Sequence, residues 1–244
     1  YFRGLMDFDP GPKSRLISSG PSYSGFALKL TSAGALDWAA PFVGQTGNPT
    51  NGSSMAESLT LDGSGNVIVG GNYNGPVDFN PGNGTTTLPT GGGGFIAKLT
   101  SRGGLTWAKA VEKASATGYT SVMVNALQTD AAGNIYATGL FGSTNGGGTV
   151  DFDPGAGTAI RTTAGGNDIF VLKLTSAGNF GWAETFGGTG NDTARGLALD
   201  ADGAIHLSGS FVGTVDFDPD PNVAFDLTTP GTFSNFFLVK LRPN

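Results

Sequence analysis

The sequence predicts an all-β chain built from tandem repeats, and three observations predict it. Glycine accounts for 42 of the 244 residues and proline for 13; these residues punctuate tight turns. Hydrophobic residues still make up 38%, with 17 phenylalanines, which is enough apolar surface for a packed core. No segment carries a 3.6-residue apolar stripe, and one set of landmarks recurs along the chain.

The first landmark is a Phe followed three residues later by Lys: Phe26-Ala-Leu-Lys29, Phe95-Ile-Ala-Lys98, Phe170-Val-Leu-Lys173 and Phe237-Leu-Val-Lys240. Thr-Ser-x-Gly follows the first three, at Thr31, Thr100 and Thr175. Next comes a tryptophan at a fixed offset, Trp38, Trp107 and Trp182, which uses every tryptophan in the chain. An Asp-x-x-Gly turn then sits inside a hydrophobic hairpin, at Asp62 to Gly65, Asp130 to Gly133 and Asp200 to Gly203. Asp can bond its own turn backbone there, and Gly supplies positive φ.

These landmarks divide each repeat into four strands. Strand A ends at the turn Asp and strand B follows it. An acidic insertion separates B from strand C, which holds Phe-x-x-Lys-Leu, and strand D carries the Trp. Short antiparallel strands at this spacing predict a β-propeller, or a partial one, of four-stranded blades with a repeat of about 70 residues.

The expected organisation is a single repeat domain over 1–244: a partial blade at 1–44, blades at 56–111 and 121–186, and a blade at 193–244 lacking its last strand. Aligning residues 1–7 with 210–216 starts the chain late in strand B. A ring of such blades lacks one strand, an edge that propellers avoid. The chain is therefore expected to be a fragment, to close on itself, or to be completed by a neighbour's strand. The last option gives a homo-oligomeric ring or a filament.

Net charge is −6, with scattered basic residues, so the footprint of a nucleic-acid binder is missing. No apolar run reaches the roughly 20 residues of a membrane-spanning helix. Without cysteine and with one histidine, disulfides, thiolate metal sites and a Cys–His pair are excluded. The lone His206 fills the strand slot held by Ile68 and Tyr136 in the other hairpins. Nothing places a serine beside it. The glycine runs Gly91 to Gly94 and Gly146 to Gly148 lie in B–C insertions, not between a strand and a helix.

The best candidate site is the acidic insertion, met in four forms: Asp7-Phe-Asp9, Asp78-Phe-Asn80, Asp151-Phe-Asp153 and Asp216-Phe-Asp218, each followed by Pro. Acids at i and i+2 of an extended segment share one face. Two readings stay open. Oxygen ligands in a turn suit Ca²⁺; alternatively the acid caps a turn, the Phe packs and Pro bends the chain. The repeated lysines read as snorkelling or ion-paired between blades, and the tryptophans as blade packing.

The run Trp182-Ala-Glu-Thr-Phe-Gly-Gly-Thr-Gly-Asn-Asp, then Gly196-Leu-Ala-Leu-Asp200, Gly209-Ser-Phe and Phe-x-x-Lys-Leu resembles the SBBP family of bacterial β-propeller repeats. The resemblance covers nearly the whole chain and implies exported, non-catalytic, propeller-like modules at a bacterial surface or outside the cell. A scaffolding, adhesion or assembly role is expected. A lectin-like module binding carbohydrate or a surface protein is the alternative, and a glycoside hydrolase using a carboxylate pair ranks last. A specific ligand site should break the repeat, which points to 44–55 and 112–120.

Overall fold

The computed structural model describes residues 1–45, 51–114, 120–143, 146–220 and 222–242. Among these the chain is all-β, in antiparallel sheets. It separates into two compact units, Tyr1–Ala110 and Val111–Asn244.

The first unit begins with β1 (Phe2–Asp7), β2 (Leu16–Leu30) and β3 (Leu36–Gly44), paired in that order. A second sheet holds β4 (Ser53–Leu61), β5 (Val67–Asn74), β7 (Gly93–Leu99) and β8 (Leu105–Lys113) in sequence order. The two-residue strand β6 (Val77–Asp78) leaves that sheet and pairs with the end of β3.

In the second unit, β9 (Ser121–Thr129), β10 (Ile135–Gly142), β13 (Asn167–Leu174) and β14 (Phe180–Phe186) form another four-stranded meander. Between β10 and β13 lie β11 (Thr149–Asp151) and β12 (Ile160–Thr162), a short hairpin. The chain passes from the first unit to the second within β8; Glu112 and Lys113, its end in the second unit, pair with β11, as the end of β3 pairs with β6 in the first. The last sheet has β15 (Thr193–Leu199), β16 (Ile205–Phe211) and β19 (Asn235–Leu241), with the hairpin of β17 (Thr214–Asp216) and β18 (Asp226–Thr228) between the last two. Numbered by sheet, repeats 1 to 4 thus hold strands B–C–D, A–B–C–D, A–B–C–D and A–B–C.

The turns form where the recurring residues demand them. Asp62 Oδ1 accepts the backbone N–H groups of Ser64 and Asn66, and Gly65 takes φ +75°. Asp130 with Gly133 and Asp200 with Gly203 repeat the arrangement. At each C–D turn the Thr hydroxyl accepts the N–H four residues on, at Thr31, Thr100 and Thr175. Strand A bulges opposite a strand-B glycine in three repeats, at Gly71, Gly139 and Gly209. A methyl group on any of these would collide with a strand-A carbonyl, that of Met55, Met123 or Thr193.

Each unit packs its repeats in the same way. A sheet has two faces, because successive side chains alternate. One face of repeat 1 carries Ala27, Trp38, Ala40 and Phe42; it covers the face of repeat 2 that carries Val67, Val69, Phe79 and Phe95. In the second unit, Ile169, Val171, Trp182 and Phe186 of repeat 3 cover Leu207, Phe217, Phe237 and Val239 of repeat 4. The matching strand positions are used both times. We call the Ile169 side face a and the Phe237 side face b.

Candidate functional site

The four acidic motifs fold into one loop design. The first acid uses Oδ1 twice: Asp7 accepts from Asp9 and Arg15, Asp78 from Asn80 and Thr86, Asp151 from Asp153 and Ala159, and Asp216 from Asp218 and Phe225. The second residue accepts from the N–H two positions on, at Asp9, Asn80, Asp153 and Asp218. The loop thus closes from residue i to i+8, and to i+9 in the last copy, where Asp220 takes the N–H of Asn222. The N–H groups of Arg15 and Asp9 hold the Asp7 carboxyl below the usual carboxylate range.

The Phe between the acids anchors the loop in the core. Phe8, Phe79, Phe152 and Phe217 are buried. Each meets the strand-C phenylalanine, with ring centroids 5.0, 4.9, 5.2 and 4.8 Å apart for Phe26, Phe95, Phe170 and Phe237. An aromatic residue near the end of strand B completes each cluster: Phe2, Tyr73, Phe141 and Phe211. The structure therefore brings each pair together in one loop but keeps the four pairs in four loops. Among the described residues, no group of three or more His, Cys, Asp or Glu is placed to hold a metal.

The repeated lysines are engaged chiefly inside their own repeat, by groups near the turns. Lys98 Nζ lies 2.9 Å from Asp62 Oδ2 and Lys240 Nζ 2.7 Å from Asp200 Oδ2, the acid of the A–B turn in each case. Lys29 pairs with Asp37 on strand D, and Lys173 stands over the Tyr136 ring. Lys29 also reaches across repeats: it and the Trp38 indole both donate to the Ser101 carbonyl in repeat 2. His206 bonds Asp200 Oδ2. Burial alone would raise the Asp62 carboxyl; the Asn66 amide, Lys98 and two backbone N–H groups outweigh it and bring it to about 2. Lys240, then His206 and the Ala204 N–H, hold Asp200 well below the usual range.

Sequence reasoning missed a pair of buried acids. Asp168 on β13 and Asp192 just before β15 are 3% and 1% exposed. Asp192 is satisfied by the N–H groups of Gly188 and Val212. Asp168 Oδ2 accepts from Ala164, whereas its Oδ1 has no hydrogen-bond partner. A side chain at Gly187 would run into the Asp168 carboxylate. Burial pushes Asp168 up to about 7, against the Ala164 N–H that favours its charged form and helped by the negative Asp192. Burial also raises Asp192, opposed by its two N–H donors. Asp168 does not recur: Ser24, Gly93 and Asn235 stand at its position in the other repeats.

Repeat 4 exposes a strand edge and large apolar side chains. Among the described residues, β19 pairs with β16 along one edge only. Beside its other edge runs a groove of about 540 Å³, lined by Phe217, Val223, Phe225, Leu238, Lys240 and Arg242. Phe236 and Leu238, on face a of this strand, are 91% and 76% exposed. Of the repeat-breaking segments 44–55 and 112–120, residues 46–50 and 115–119 lie outside the described residues. No family model and no curated protein matches the chain.

Proposed function

We propose that this chain is a non-catalytic structural module, a run of propeller-type blades that serves scaffolding, adhesion or assembly at a bacterial surface or outside the cell. One observation carries the reading: the acidic pairs and the lysines, the residues the sequence marks as possible chemistry, recur in all four repeats, and each copy is engaged by groups that serve the fold. The Asp-Phe-Asp loops bond their own backbone, the lysines meet Asp or Tyr, and Trp38 donates its indole to Ser101 and lies against Gly103. The resemblance to SBBP repeats supports the same conclusion.

Strand donation fits the β19 edge. In repeat 3 the equivalent edge of β13 is covered by β14, with Trp182 opposite Lys173 and Phe186 opposite Ile169. A strand of that kind would place its Trp opposite Lys240 and fill the groove, a form of β-augmentation. A synthetic peptide of residues 179–186, titrated into the chain by calorimetry, is expected to bind saturably at one site. Binding that is equally strong for a scrambled peptide, or no heat at all, overturns the strand-donation part of the reading.

A further inference from the structure

We propose that face a of repeat 4 is a docking surface for face b of repeat 1 in a second copy of this chain. The inference rests on the repeat-scaffold reading above but concerns a sheet face, not the β19 edge. Within each unit consecutive repeats meet a on b. At the covered positions side chains vanish from solvent: Ile169 and Val171 are 0% exposed and Ala27 2%. Their counterparts in repeat 4, Phe236 and Leu238, stand in water at 91% and 76%. Phe236 is also the largest side chain at its position, where the other repeats have Gly25, Gly94 and Ile169.

The complementary face is present in the same chain. On face b of repeat 1, Phe26 and Leu28 are half-buried and Leu30 is 42% exposed. The residues at those positions in repeat 2, Phe95, Ala97 and Leu99, are 0% exposed. Phe26 is already held by Phe2 and Phe8, with ring centroids at 6.1 and 5.0 Å, so the face is preformed. The cross-repeat polar contact also has its parts. Lys29 reaches the Ser101 carbonyl of the next repeat; Lys240 and Ser32 occupy the corresponding positions in repeats 4 and 1. Two different faces meet in such a contact, so it is heterologous and generates a closed ring or an open filament.

Sedimentation of the 244-residue chain, over roughly 1 to 100 µM as befits a micromolar contact, tests this with two variants. Phe236→Asp with Leu238→Asp removes face a; Leu28→Asp with Leu30→Asp removes face b. Each is checked for unchanged circular dichroism. The wild type is expected to associate with rising concentration and both variants to stay monomeric. Mixed together, the variants should form a 1:1 dimer and nothing larger, through the one intact a–b pair. A wild type that stays monomeric throughout overturns the proposal. So does a face-b variant that associates as well as the wild type, because face a would then be meeting itself. The variant lacking face b keeps its β19 edge, so peptide binding to it reports the strand-donation reading separately.

Discussion

Lys98 Nζ lies 2.9 Å from Asp62 Oδ2, and their side chains are only 9% and 7% exposed. The equivalent pair in repeat 4, Lys240 with Asp200, is shorter at 2.7 Å but 42% and 26% exposed. Breaking a buried pair strands a charge; breaking an open one does not. Lys98→Met should therefore cost about 3 kcal/mol and Lys240→Met less than about 1 kcal/mol, read from urea midpoints. Asp62→Asn added to Lys98→Met should recover part of the loss, since no charge is left behind. Asp62 titrates near 2 in the folded chain, so its contribution is full above its ordinary range and fades as pH falls toward 2.

Asp168 gives the opposite pH dependence. Its folded carboxyl is raised to about 7 from 3.8, so between those values the folded state holds a proton that the unfolded chain has released. Stability must then fall as pH rises through that window and stay reduced above it. Asp168→Asn keeps the shape and an acceptor for the Ala164 N–H but cannot ionise. The variant is expected to melt several degrees above wild type at pH 8, about 2–4 °C per kcal/mol, with the gap closing at pH 4. An equal gap at both pH values would contradict this assignment.

The strand-B glycines predict a steric effect free of charge. Gly139→Ala drives a methyl group into the Met123 carbonyl at the bulge. Overpacking of this kind costs about 1–3 kcal/mol. Gly63→Ala, with open space around its Cβ, serves as the comparison and should change stability by less than about 0.5 kcal/mol.

In the acidic loops the Phe should matter more than the acids. Phe152→Ala is expected to cost about 3–5 kcal/mol from a fully buried site. Asp151→Ala loses two backbone hydrogen bonds and should cost roughly 1–2 kcal/mol. Calcium is tested on the same loops by melting with added Ca²⁺ and with chelator. Because the Oδ1 atoms already serve the loop backbone, equal melting temperatures are expected. A ligand of the folded state must stabilise it, so a saturable rise would assign Ca²⁺ to Asp7, Asp78, Asp151 and Asp216 with their partners.

Much of the fold was legible because its signals are local and repeated. Asp62, Gly65 and Val67 mark a turn and a strand start by their own chemistry, and β5 begins at Val67. The four-strand order followed from the same landmarks. The acidic insertion was read as a turn, yet Thr149–Asp151 and Ile160–Thr162 pair as a hairpin, because the closing bonds reach eight residues ahead. The lysine partners were misplaced for a similar reason: Asp62 and Lys98 are 36 positions apart, and only the A–B–C register brings them together. Asp168 carries no motif, and Asp192 was read only as the end of the run that begins at Trp182. Their character comes from burial, which a polar residue in a glycine-rich stretch does not advertise.

Among the described residues, the sheet that ends in β19 leaves the run Phe236-Phe237-Leu238-Val239 on an unpaired edge, with Lys240 as its nearest charge in sequence. Such a segment has the makings of an amyloid seed, since identical strands can stack with a repeat of about 4.7–4.8 Å and zip their side chains together. Ordered addition and pathological stacking would then compete for one strand. Under the strand-donation proposal, early capping of the edge would hold such stacking back, and the concentration and lifetime of the uncapped chain would set the balance.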